Sequence, residues 1–144
     1  MTEQEQPSIL VVDDQGAMRR VIGQHLASAG YLNVSLAESG EEALAKLDMH
    51  PYDLVVLDWT MPGLSGLDVL KEVRSKIKWA QVKVMMVTAE GLKENVIAAV
   101  EAGANNYVVK PFTQETLLGK VAETLPERVK PSHPLGFIGG MPLK

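Results

Sequence analysis

The 144-residue chain contains no cysteine. That excludes a disulfide framework, thiol catalysis and cysteine-ligated metal, and it suits a reducing compartment. Aromatic residues make up only 5%, and the three histidines, His25, His50 and His133, show no metal-ligand spacing. No apolar run approaches the roughly 20 residues of a membrane span. Positive charge is also short: 14 Lys and Arg stand against 18 Asp and Glu, for a formal net charge of -4. No basic patch or stripe is visible, so nucleic acid is not an expected partner. The opening Met1-Thr2-Glu3-Gln4-Glu5-Gln6 is polar and acidic, unlike the basic start and apolar stretch of a secretory signal. A cytoplasmic protein, neither exported nor in a membrane, is expected.

What the chain does have is alternation. Its length suits one domain with a proper core. The apolar runs Ile9–Val12, Val34–Ala37, Leu54–Leu57, Val82–Val87 and Tyr107–Val109 have the continuous Val/Ile/Leu character of buried parallel strands. Helical spacing lies between them. Met18, Val21, Ile22, His25 and Leu26 mark a helix over Gln15–Ala29 that stops at Gly30. Ser39-Gly40-Glu41-Glu42 is a capping-box pattern opening Glu41–Asp48. Met61–Gly66 forms a turn-rich loop, followed by Leu67, Leu70, Val73 and Ile77 at helical spacing. Val96, Ile97 and Val100 define a fourth helix ending at Gly103, and Thr113 caps a fifth with Leu117, Leu118, Val121 and Leu125. Five β-α repeats predict an α/β fold, a doubly wound five-stranded parallel sheet covered on both faces. The flavodoxin-like strand order 2-1-3-4-5 would put a switch point between the first and third strands. Residues 1–7 are expected to be a disordered N-terminus, residues 8–125 the domain, and residues 126–144 a Pro/Gly-rich tail. That tail keeps Leu135, Phe137, Ile138 and Met141.

The chemistry lies where the strands end. The first strand runs into Asp13-Asp14, the third into Asp58, the fourth into Thr88 and the fifth into Lys110-Pro111. Ligands in such sheets bind beyond the carboxyl ends of the strands, so these groups gather at one edge. Taken singly, Asp13-Asp14 and Thr88 read as helix caps and Lys110 as a surface charge. Taken together they can hold a divalent cation and a phosphoryl group. Asp58 is then a nucleophile that forms an aspartyl phosphate. Mg²⁺, held by Asp13 or Asp14 with Asp58, suits an oxygen-only donor set, with Lys110 as a second cation and Thr88 as a hydroxyl donor.

Val12-Asp13-Asp14, Asp58-Trp59-Thr60-Met61-Pro62-Gly63, Val87-Thr88-Ala89-Glu90 and Val109-Lys110-Pro111-Phe112 closely resemble the receiver domain of bacterial response regulators. Met18-Arg19-Arg20, Lys93–Ala99 and Gly103–Val109 bring the chain nearest to that family's single-domain chemotaxis members. The resemblance spans about Ser8 to Leu125. It implies a stand-alone response regulator of a two-component system, a switch that catalyses only its own phosphotransfer and slow autodephosphorylation. Asp58 would be the phosphoacceptor and a histidine kinase the donor. Asp13, Asp14 (mostly through water), Asp58 and the Thr60 backbone carbonyl would hold Mg²⁺. Thr88 and Tyr107 would form the switch, Thr60 and Glu90 would tune the phosphate lifetime, and Lys110-Pro111 would be a cis peptide. A monomer acting on a flagellar motor switch protein or another trans effector is implied, with a phosphatase as a further partner. Gln15 departs from the pattern by replacing an aromatic, and Thr60 by replacing an asparagine.

Three other functions compete with this one. A shuttle receiver in a phosphorelay shares every residue above. A dehalogenase-type phosphatase needs a second Asp two residues past the nucleophile, where this chain has Thr60. A flavodoxin-like flavin carrier needs a Ser/Thr/Gly-rich loop after the first strand, where it has Asp13-Asp14-Gln15.

Overall fold

The apolar runs form strands because both of their faces are covered. In the computed structural model, which describes residues 6–129, the strands are β1 (Ser8–Val12), β2 (Asn33–Ala37), β3 (Leu54–Leu57), β4 (Lys83–Thr88) and β5 (Asn106–Val109). All pairings are parallel and the order is β2-β1-β3-β4-β5. The helices are α1 (Gly16–Ser28), α2 (Gly40–Met49), α3 (Gly66–Arg74), α4 (Lys93–Glu101) and α5 (Gln114–Thr124). The doubly wound fold and its strand order are thus as expected. Alternate strand residues serve opposite layers. Leu10, Val12, Val55 and Leu57 join Ala43, Leu47, Val69, Leu70 and Ala99 on one face. Ile9, Val11, Leu54 and Val56 join Ile22, Leu26, Leu117 and Val121 on the other.

Register places the strand ends. Val12 pairs with Leu57, so Asp13 and Asp58 emerge side by side. Leu57 pairs with Met86, and Thr88 with Val109, the residue before Lys110. Thr88 closes β4 instead of following it, and β4 starts at Lys83 where the sequence suggested Val82.

Local signals were met unevenly. Thr113 caps α5 by accepting from the Thr116 amide at 3.0 Å. Ser39 caps α2, but Glu42 accepts from the Glu38 amide at 2.8 Å instead of closing a box on Ser39. The reciprocal box belongs to α3, between Ser65 and Asp68, inside the stretch expected to be loop. The fourth helix, α4, forms where its apolar spacing put it, but Ile97 is 44% and Val100 58% exposed, and its buried residue is Ala99. The helix touches the sheet through a small side chain and turns its apolar stripe outward.

Both ends of the described stretch pack beyond the expected limits of the domain. Gln6 donates to the Gly30 carbonyl and accepts from the Leu32 amide, and Pro7 is buried. A 3-10 turn, Glu127–Val129, follows α5 and buries Val129 against the α1/α5 layer. Residues 1–5 and 130–144 lie outside the described residues, and with them most of the expected tail. Among the described residues no helix is long and apolar enough to cross a membrane.

Leu117 and Ile97 are both apolar helical residues with opposite burial. Leu117→Ala should cost about 2–5 kcal/mol, the range for a buried leucine. Ile97→Ala should change stability by less than about 0.5 kcal/mol, as surface substitutions do. Urea denaturation of the two variants measures the contrast.

Candidate functional site

Asp13 follows β1 and Asp58 follows β3, both with their amides in the ladder: Asp13 donates to the Ala37 carbonyl and Asp58 to that of Val12. Their carboxylates are therefore fixed from the backbone outward and buried. Asp14, next to them, is exposed. The three offer carboxylate oxygens that all lie within 4.8 Å of one another. At an effective dielectric of about 20, two unit charges at that separation repel by roughly 3 kcal/mol. Lys110 meets this repulsion from β5. Its Nζ is 2.9 Å from Asp13 Oδ2 and 3.6 Å from Asp58 Oδ1. The Lys110-Pro111 peptide is cis, as the resemblance implied.

Burial pushes the Asp58 carboxyl above the ordinary carboxylate range. Lys110 pulls it down, the Asp13 charge pushes it up, and hydrogen bonds from the Trp59 amide and Thr88 hydroxyl favour the anion. The net result is upward, because the ammonium outweighs the Asp13 charge but does not offset the cost of burying the anion. A divalent cation would. The donor set fits Mg²⁺: oxygen-only, anionic, two members buried and the third open to solvent for metal-bound water.

A chain of hydrogen bonds leads away from Thr88, whose hydroxyl favours the Asp58 anion. That hydroxyl accepts from the Glu90 amide at 3.3 Å. The Glu90 carbonyl in turn accepts from the Tyr107 hydroxyl. Tyr107 is half-buried against the α2/α3/α4 layer, more engaged than an edge-strand aromatic need be. The Glu90 carboxylate accepts from Asn95 at 3.2 Å and from the Thr60 hydroxyl at 3.4 Å. Asp13, Asp14, Asp58, Thr60, Thr88, Glu90, Tyr107 and Lys110 therefore lie at this one sheet edge or in contact with a residue that does.

Three supporting residues escaped the sequence. Arg19 donates to the Asp13 carbonyl at 2.7 Å and reaches Glu38 at 3.8 Å, tying α1 to the acidic turn. Asn95 steadies Glu90. Gly66 lies under the nucleophile: a Cβ there would stand 2.0 Å from the Asp58 carbonyl oxygen. Its amide donates to the Trp59 carbonyl at 2.7 Å. Glycine directly after the Ser65 cap was the available signal, yet it named no partner.

Two substitutions separate the site's electrostatics from its packing. In metal-free buffer at neutral pH, Asp58→Asn should raise stability by about 1 kcal/mol, because a strained functional charge is removed. The sign follows from the raised native pKa. The native state then binds the proton more tightly than the unfolded state, so wild type loses stability as pH rises through the interval between the two. The gain from Asp58→Asn should therefore vanish as pH falls through the raised value into the ordinary carboxylate range. Gly66→Ala should cost about 3 kcal/mol through overpacking. Denaturant titrations across pH check both.

Known proteins agree with this geometry. The response regulator receiver domain family matches residues 9–122. A chemotaxis protein CheY1 from Helicobacter pylori is 46% identical over 118 residues, which is 81% of this chain and 95% of that protein. A chemotaxis protein CheY4 from Vibrio cholerae superposes with a TM-score of 0.78 at 33% identity, over 83% of this chain and 99% of that one. The CheY of a CheX–CheY–BeF3–Mg²⁺ complex from Borrelia burgdorferi superposes with a TM-score of 0.76 at 30% identity, over 81% of this chain and 87% of that one. With a family match across nearly the whole described domain, and relatives that share both sequence and fold, this chain belongs to the response regulator receiver domain family.

Proposed function

We propose that the protein is a phosphorylation-driven switch of a two-component system, with Asp58 as the phosphoacceptor. The observation that carries this reading is the buried Asp58 carboxylate at the end of β3, with the Lys110 ammonium bridging it and the Asp13 carboxylate. An Asp58 oxygen attacks the phosphorus of a kinase phosphohistidine in line. The phosphorus–nitrogen bond breaks, and the imidazole leaves and takes up a proton. Lys110 keeps Asp58 anionic before attack and then faces the new phosphoryl oxygens. Asp13 holds Lys110 in place. Asp13, Asp14, Asp58 and the Thr60 carbonyl would hold Mg²⁺, which when bound neutralises charge on the transferring phosphoryl oxygens. Positioning and charge account for the catalysis such a transfer needs.

The output is binding in trans. A phosphoryl group on Asp58 competes for the Thr88 hydroxyl, and Thr88 already holds the Glu90 amide whose carbonyl anchors Tyr107. Moving Thr88 therefore alters the loop that joins β4 to α4. The surface beside that loop exposes Leu92, Ile97, Val100 and Val109, an apolar set with no packing role. Exposed apolar groups of this kind mark protein contacts. The chemotaxis relatives and this face together support a flagellar motor switch protein as the target, a histidine kinase as the donor and a cytoplasmic, monomeric receiver between them. The Borrelia neighbour, seen in a complex with CheX, supports a further protein partner, and a phosphatase is the one we propose. Thr60 and Glu90, linked across the mouth, are placed to set the lifetime of the phosphorylated state.

Incubation with acetyl phosphate and Mg²⁺, read by intact mass, is the test. Wild type should gain one labile phosphoryl group, and Asp58→Asn should gain none. The same gain in Asp58→Asn would overturn the assignment of the phosphoacceptor.

A further inference from the structure

At the opposite edge of the sheet, where β3 and β4 begin, lies a groove of about 820 Å³. Tyr52, Trp79 and Met49 give it an apolar wall. The wall is rigid: the Trp79 indole N–H donates to the Leu47 carbonyl at 3.3 Å, and Lys78 Nζ stands 4.9 Å from the ring centroid while paired with Asp48. Met49 is 74% exposed there, and Ile77, at the start of the 3-10 turn Ile77–Trp79, is 94% exposed. None of the residues of the phosphoryl site reaches this edge.

We propose that the groove is the docking site of the chain's own C-terminal segment, with Leu135, Phe137, Ile138 and Met141 as its anchors. Four observations select this occupant. The chain passes the groove as it leaves the described domain, since Pro126 and Glu127 line it and Val129 is buried just beyond. Leu135 is six residues past Val129, a reach of at most about 20 Å, so the first anchor stays near the rim. The segment from Lys130 to Lys144 holds the four anchors, including one of the chain's two phenylalanines, and no acidic residue. A segment that stays solvated is ordinarily poor in such residues. Pro131, Pro134 and Pro142 favour an extended polyproline conformation, which grooves with aromatic walls accept at low entropic cost. Docked there, the segment clasps the start of β3 and β4 and leaves the surface around α4 free.

The absence of native cysteine makes the test clean. Met49→Cys is combined in turn with Leu135→Cys, Phe137→Cys, Ile138→Cys and Met141→Cys in the full chain, under mild oxidation. Val21→Cys, on the far layer, replaces Met49→Cys as the control. Docking predicts an intrachain disulfide with at least one tail position and none with the control. Interchain disulfides would overturn the proposal in favour of a tail reaching a second copy. Failure at all four positions, or equal yield with Val21→Cys, would overturn it in favour of an undocked tail. Deletion of residues 130–144 supplies an independent reading. Amide exchange over 49–53 and 79–83 should speed up by about threefold or more, as local opening loses its cover. Acetyl-phosphate reactivity should stay unchanged. Unaltered exchange in those two stretches would contradict docking.

Discussion

Lys110, reaching from β5 to carboxylates that follow β1 and β3, is the interaction on which the rest of the site depends. Asp13 and Asp58 are held by backbone hydrogen bonds and cannot move apart to relieve their repulsion. A cation has to meet them there. The ammonium does so across three strands, 2.9 Å from one carboxylate and 3.6 Å from the other. Burial still holds the Asp58 carboxyl above its ordinary range. In the proposed function a metal ion and a phosphoryl group would meet that buried anion. The sheet supplies the rigidity. Apolar side chains fill both of its layers, and parallel register puts successive strand ends beside one another.

Much of this was legible in the sequence, for a physical reason. A strand buried on both faces has to be apolar throughout, so its end shows as an abrupt change to a polar residue. Asp13, Asp58, Thr88 and Lys110 all stand at such changes. What stayed hidden depends on neighbours that are far off in the chain. Gly66 matters because the Asp58 carbonyl lies where its side chain would be. Arg19 matters because α1 turns it back onto the Asp13 carbonyl. In α4, apolar spacing gave the helix but not its facing, because periodicity shows that a helix has an apolar side without showing what covers it. Ala99 makes the buried contact, while Ile97 and Val100 stay exposed.

Under the proposed switch, that outward stripe and the hydrogen-bond chain are parts of one device. Thr88, Glu90 and Tyr107 link the floor of the acidic site to the loop before α4 by groups that each have more than one partner available. A ligand that binds one arrangement of such a chain better than another shifts its population by that difference in affinity and no more. Few buried contacts hold α4, so a modest difference is enough to reposition it. A firmly packed fourth helix would have made the domain more stable and the switch less responsive.

Transmission through Thr88 is the central claim, and amide NMR of wild type and Thr88→Val tests it most directly. Beryllofluoride with Mg²⁺ serves as the phosphoryl mimic. In wild type the account predicts shifts at residues around Asp58 and also at Tyr107, Ile97, Val100 and Val109. In Thr88→Val the shifts around Asp58 should persist while those on the outer face are lost. Full outer-face shifts in Thr88→Val, with the mimic bound, would contradict it.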